Sequence, residues 1–137
     1  MDTVIALKLK WLDLILQGKK TIEVRAQYPK QLQPGDKLFL YCKGQIHGYA
    51  VPYEVQAVQP DDPVDAYSCA DMFHEEACLE LEEMGAYLYA GRRPGLIFFK
   101  EVHQYETPEP WNYAPPQNYA YMDNLKANAK QLRLVLQ

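Results

Sequence analysis

The sequence predicts an α+β fold: a small curled sheet or barrel of five to six short strands, antiparallel or mixed, with two to three helices at its periphery. Three observations carry that expectation. Apolar and polar residues alternate over several short segments, helical spacing appears only in a few stretches between them, and the two do not follow the strict strand–helix–strand rhythm of a doubly wound parallel sheet. A chain of 137 residues that is 48% hydrophobic can bury one core but not two comfortable ones, so a single domain over residues 1–137 is expected.

Thr3 to Lys10 alternates, with Ile5, Leu7 and Leu9 on one side, as a half-buried strand does. The period then changes: Trp11 and Ile15, and Leu12 and Leu16, pair at the i,i+4 spacing of a short helix. Gly18 can take the left-handed conformation that ends such a helix, and Thr21 to Arg25 follows as a strand. In that strand Ile22 and Val24 face one way and Thr21, Glu23 and Arg25 the other. Gln33-Pro34-Gly35-Asp36 is turn chemistry, and strands from Lys37 to Cys42 and from Ile46 to about Val58 form an antiparallel hairpin around Gly44, bulged or at an edge where Pro52 lies.

Asp62 caps a helix that begins at Pro63. A clear helix is predicted from about Asp71 to Ala90, where Phe73, Ala77, Leu81, Met84 and Leu88 make one apolar stripe, with Gly91 as its stop. Pro94 to His103, rich in Leu96, Ile97, Phe98 and Phe99, reads as the most buried strand. Glu106 to Asn118, with four prolines, reads as loop, and Gln131 to Leu136 as a last strand.

Cys42, Cys69 and Cys78 match no zinc or disulfide spacing, and His47, His74 and His103 are scattered, so neither a metal nor a cofactor is expected. No apolar run approaches a membrane span, and the N-terminus lacks a basic leader, which predicts a cytoplasmic protein. The net charge of −4 argues against a general nucleic-acid coat protein. Its distribution is uneven: residues 1–50 carry eight basic and four acidic side chains, and the remainder six basic and fourteen acidic. Such a basic half can hold one anionic ligand locally; an ordinary solvated surface explains it equally well.

The densest cluster of chemistry is Gly18-Lys19-Lys20-Thr21-Ile22-Glu23-Val24-Arg25. Cations beside backbone amides freed by a glycine turn suit a carboxylate, a phosphate or a developing oxyanion, and Glu23 and Arg25 on one strand face can pair. By residue physics alone, such alternating charges mark the wet side of a strand. The spelling Gly18-x-Lys20-x-x-Glu23-x-Arg25, followed by the Pro34-Gly35-Asp36 turn and the Leu38 to Tyr41 strand, resembles the ASCH domains, a group within the PUA-like β-barrels.

That resemblance implies a cleft beside the barrel, lined by Lys20, Glu23 and Arg25, that receives RNA, a nucleotide or a nucleobase. It also implies a possible enzyme. One branch of the family hydrolyses N4-acetylcytidine with the motif lysine, a threonine three residues later and a distant glutamate; a related branch is ribonucleolytic. Lys20 matches that lysine, whereas Glu23 stands at the threonine's place, so Lys20 and Glu23 are the catalytic candidates only if the protein is an enzyme. The adjacent Arg25 favours an electrostatic role for Glu23 over proton shuttling.

The candidate ligand-binding set is Lys19, Lys20, Thr21, Glu23, Arg25, Tyr41, Trp111 and Tyr113, the aromatics offering faces on which bases stack or, equally, anchors that pin a proline-rich loop. Tyr119 and Tyr121 are expected as such anchors. Among the acids Glu75, Glu76, Glu80, Glu82 and Glu83, a solvated helix face accounts for nearly all, with Glu75 or Glu76 the one placed to reach the cleft. Three functions follow from these readings: RNA or nucleotide binding, hydrolysis of a modified nucleoside or RNA, and a protein-interaction module in which Glu23 and Arg25 only hold strands together.

Overall fold

The structure, a computed structural model, describes residues 1–128. Its elements in chain order are β1 (Thr3–Ala6), α1 (Leu9–Leu16), β2 (Ile22–Arg25), β3 (Leu38–Cys42), β4 (Gln45–Ala57), α2 (Pro63–Phe73), α3 (Leu81–Tyr89), β5 (Gly95–Pro110) and β6 (Tyr119–Tyr121), and residues 122–128 are helical. The strands form one six-stranded mixed sheet in the order β2-β5-β4-β3-β1-β6, in which only the β1–β3 pair is parallel. No helix among the described residues is long and apolar enough to cross a membrane.

The β3–β4 hairpin turns on Lys43 and Gly44, both at positive φ (50° and 80°), the backbone that matches the right-handed twist of the flanking strands. Proline cannot donate to the ladder, and at Pro52 the β4–β5 register shifts on both sides. That bulge exchanges the faces of β5. Ile97 and Phe99 join the core inside the curl, with Leu12 and Ile15 of α1 and Leu38 and Leu40 of β3. Leu96 and Phe98 point the other way, into a second core with Ile22 and Val24 of β2 and the inner sides of α2 and α3. Covered on both faces, Leu96 to Phe99 is at most 8% exposed, which explains its unbroken apolar run.

Several expectations are corrected. The helix predicted from Asp71 to Ala90 is two helices, broken at residues 74–80, where Cys78 takes a left-handed φ of 58° and the His74 ring meets the Leu79 carbonyl at 3.1 Å. Spacing could not reveal the break, because Ala77, Met84 and Leu88 pack into the same core as Phe73 and Leu81 whether or not one helix carries them. Residues 106–110 are not loop but the end of β5, with Glu109 opposite Ile46 and Pro110 opposite Gln45. Pro110 stands at this ladder's end, and the next bond across it, to the Gly44 carbonyl (2.9 Å), comes from the Trp111 amide. Tyr119 and Tyr121 belong to a strand, β6, antiparallel to β1. The strand expected at Gln131 to Leu136 lies outside the described residues.

Asp62 caps α2 as read, its carboxylate accepting from Val64 N (3.0 Å) and Asp65 N (3.2 Å), with Pro63 next. Gly18 ends the first helix at φ 76°. Gly48 is required for a different reason: at φ 152°, a Cβ there would stand 2.0 Å from the His103 carbonyl oxygen. Gly48→Ala is therefore expected to cost more than about 2 kcal/mol in urea unfolding. Gly35→Ala, at φ 88° with nothing within 4 Å of its Cβ, is expected to cost about 1–2 kcal/mol. Equal costs at the two sites would contradict the close approach of β4 and β5.

Candidate functional site

β2 and β6 are the two edges of the curled sheet, and side chains bridge them. Arg25, at the end of β2, reaches across: its Nη2 donates to the Ala6 carbonyl of β1 (2.6 Å) and its Nη1 to Asn118 Oδ1 (2.7 Å), just before β6. Asn118 Nδ2 returns a bond to the Gln27 carbonyl (3.0 Å), and Arg93 Nη2 donates to the Tyr119 hydroxyl (2.5 Å) and the Tyr28 carbonyl (2.9 Å). Because long side chains close this seam, a cleft of about 560 Å³ remains beside it.

Glu23 precedes Arg25 by two residues and shares its strand face, as the alternation predicts. It is not on a wet face: Glu23 is 5% exposed and Lys20 is 2% exposed. Glu23 Oε2 accepts from Arg25 Nη2 (3.0 Å) and Nε (3.3 Å), and Oε1 from the Val24 amide (3.0 Å), with Lys20 Nζ at 3.5 Å. Four of the five guanidinium N–H groups are thus committed, and both carboxylate oxygens are engaged. Glu23 and Arg25 are a clamp before they are anything else.

Lys20 is held differently. The helix end at Gly18 sends the Lys19 and Lys20 amides back to the Leu14 carbonyl, each at 3.0 Å. The following residues run against the α2–α3 connection, where the Glu76 carbonyl accepts from Thr21 N (2.9 Å) and Ile22 N (3.3 Å). Lys20 Nζ donates to the Ala77 carbonyl (2.5 Å) and lies 5.0 Å from the centre of the Trp11 ring. Burial pulls its pKa below the ordinary lysine range, with Arg25 acting in the same direction and the Glu23 carboxylate and Cys78 opposing. Of three ammonium N–H groups, Ala77 and Glu23 account for two.

Four of the eight candidate residues, Lys20, Glu23, Arg25 and Tyr41, line the cleft together. The other four do not. Lys19 is exposed and offers its carbonyl to Cys78 Sγ (3.4 Å), and Thr21 lies in a shallower groove of about 330 Å³ with Phe99 and Lys100. Trp111 packs edge-on to Tyr41 (5.9 Å between centroids) and Tyr113 against Trp111 (5.1 Å), a layer behind the cleft wall. Glu83, not Glu75 or Glu76, is the acid of this helical region that lines the cleft, because the break between α2 and α3 sets Leu79 of the connection and Glu83 and Tyr87 of α3 against it. Sequence reasoning also passed over Trp11, Tyr87 and Lys8. Trp11 carried a signal, an indole beside two lysine-rich segments, but its helical spacing with Ile15 absorbed it into the core.

Two outcomes test this geometry. Removing the fork in Arg25→Ala leaves Glu23 buried without its principal partner and is expected to cost about 3 kcal/mol in urea unfolding, most of it unrecovered in Arg25→Lys, which cannot span Glu23, Ala6 and Asn118 at once. For Lys20 the folded pKa lies below the unfolded one, so between the two values the unfolded chain binds more protons and this residue's contribution to stability rises with pH. In Lys20→Met that alkaline-side rise is expected to vanish from stability–pH profiles, and an unchanged profile would refute the burial of the ammonium.

The geometry can be set beside known proteins. A family model described as the ASCH domain matches residues 5–127. The crystal structure of ASCH from Zymomonas mobilis superposes with a TM-score of 0.72 at 18% identity, covering 96% of this chain and 94% of that one. A serine-to-alanine mutant of the same protein gives 0.72 at 19% identity, with 97% and 95% covered, and a tyrosine-to-phenylalanine mutant 0.72 at 17%, with 94% and 95% covered. No curated protein matches the chain. With the motif's arginine closing a curled mixed sheet and the family model spanning nearly all of the sequence, the chain belongs to the ASCH domain family and has its PUA-like fold.

Proposed function

We propose that this ASCH domain binds RNA, or a nucleotide or nucleoside, in the cleft beside its sheet. One observation carries the reading: Lys20, a cation 2% exposed, keeps an uncommitted N–H in a cleft of about 560 Å³ that Trp11, Tyr41 and Tyr87 also line. That volume falls within the roughly 300–1,000 Å³ of small-molecule sites. The rings offer stacking surfaces worth roughly 1–3 kcal/mol per base. Lys20 and the fifth Arg25 N–H supply donors for acceptors on a base edge or a phosphate, Glu83 an acceptor for an exocyclic amine, and Lys8 a cation among the lining residues.

A hydrolase acting on a modified nucleoside such as N4-acetylcytidine, or on RNA, is the second reading. What favours it is the lowered pKa of Lys20, since a larger neutral fraction makes an amine a better proton acceptor near neutral pH. What weighs against it is Glu23, which occupies the threonine position of the hydrolytic branch and has both oxygens engaged. Its clamp also meets the structural half of the interaction-module reading, but that reading leaves the third ammonium N–H of Lys20 in the cleft unexplained.

Quenching of tryptophan fluorescence, with Trp11 in the cleft wall, is expected to report binding of nucleosides or short single-stranded RNA. The affinity should fall with added salt for RNA and drop at least about tenfold in Lys20→Ala. Binding that uses the ammonium should weaken as pH rises through the lowered Lys20 pKa, at lower pH than a solvated lysine would permit. No binding to either ligand at low salt would sink the proposal. Release of cytidine from N4-acetylcytidine, abolished in Lys20→Ala, would establish the hydrolytic reading in its place.

A further inference from the structure

The aromatic residues of β3, β4 and β5 do not all serve the cores. The bulge at Pro52 and the alternation of β3 leave Phe39, Tyr49 and His103 on the outer face, and the ladders place them in one direct row: Phe39 opposite Tyr49, Tyr49 opposite His103. The Tyr49 and His103 rings stack at 4.7 Å and 23°, Phe39 leans on Tyr49 at 6.1 Å, and Tyr105 meets Tyr49 edge-on at 6.3 Å. Lys37 Nζ lies 4.8 Å from the Tyr49 ring centre. None of these residues belongs to either core cluster, and the His103 side chain is 46% exposed. The α1 helix fills the inside of the curl and α2 and α3 cover the outer side of β2 and of β5 before the bulge, so neither accounts for a row of rings here.

The row is continuous with the cleft. Tyr41, a cleft residue, sits on β3 two positions from Phe39 and on the same outer face. Charge also gives a direction. Of the α3 acids Glu83 lines the cleft, Lys8 lines its opposite wall, and beyond the cleft Lys37 stands over the Tyr49 ring. A polyanion leaving the cleft past Lys8 therefore meets a further cation, Lys37, over β3 and β4, whereas on the β5 side Glu101 stands 3.4 Å from His103. Rings on an open sheet face with a cation among them form the surface on which single-stranded nucleic acids stack successive bases, as four-stranded RNA-binding sheets do.

We propose that the outer face of β3–β4–β5, floored by Phe39, Tyr49 and His103, is a second contact surface for single-stranded nucleic acid and carries nucleotides that flank the one in the cleft. It rests on the reading of the cleft as a nucleotide site and adds to it a length requirement: an oligonucleotide gains affinity that a nucleoside cannot.

The test compares an eight-nucleotide single-stranded RNA, followed by fluorescence anisotropy, with a single nucleoside, in the wild-type protein, Tyr49→Ala, Lys37→Glu and Lys20→Ala. Tyr49→Ala is expected to weaken the octamer roughly 5- to 100-fold and leave the nucleoside unchanged. Lys37→Glu, an exposed change that leaves the core alone, should weaken the octamer too and lower the slope of log affinity against log salt, while Lys20→Ala weakens both ligands. An octamer bound no more tightly than the nucleoside, or equally well by wild type, Tyr49→Ala and Lys37→Glu, overturns the second surface and leaves the cleft reading standing. Failure of the wild type to bind either ligand overturns both. Concentration-dependent self-association of the wild type that Tyr49→Ala abolishes, with octamer affinity unchanged, assigns the row to a protein contact instead and likewise overturns it.

Discussion

The guanidinium of Arg25 is the group on which the rest of this site depends. A six-stranded sheet that curls without joining its edges by a backbone ladder must hold them by other means, and Arg25 does so with a planar fork: one side on Glu23 of its own strand, the other on the Ala6 carbonyl and the Asn118 amide across the seam. Backbone pairing would have drawn the edges to about 4.8 Å and sealed the gap. Side chains hold them further apart, so closure of the sheet and existence of the cleft follow from one interaction.

Lys20 shows how the helical layer is tied into the same site. It leaves the turn after α1 and meets the α2–α3 connection, whose Glu76 and Ala77 carbonyls take three donors from residues 20–22. Burying an ammonium is costly, and here a carbonyl, a carboxylate and an indole face offset that cost in part, which is why its pKa is drawn down and not held at the ordinary value. The motif therefore divides its labour. Glu23 and Arg25 spend nearly all their hydrogen-bonding capacity on the fold, while Lys20 retains an uncommitted N–H.

The same division explains where the sequence reading erred. Charges at alternating strand positions look alike whether they face water or a seam, so residue physics favoured a wet edge and only the family spelling pointed to a cleft. Trp111 and Tyr113 lie one layer behind the wall that Tyr41 forms. Glu83 and Tyr87 enter the cleft because Cys78 adopts a left-handed backbone and splits what the apolar stripe presented as one helix.

By itself the sequence determined the elements whose causes are local: the turn at Gly18, the hairpin around Gly44, the cap at Asp62, an interruption of the ladder at Pro52 and the fully buried run from Leu96 to Phe99. It also determined the motif, since the side chains two apart on β2 share a face by the geometry of any strand. Only the tertiary structure decided what that face meets. Asn118 lies 93 residues from Arg25, and Ala77 lies 57 residues from Lys20, separations at which no periodicity or turn signal operates. Their meeting is set by the curl of the sheet and the docking of α2 and α3, which depend on the packing of two cores at once.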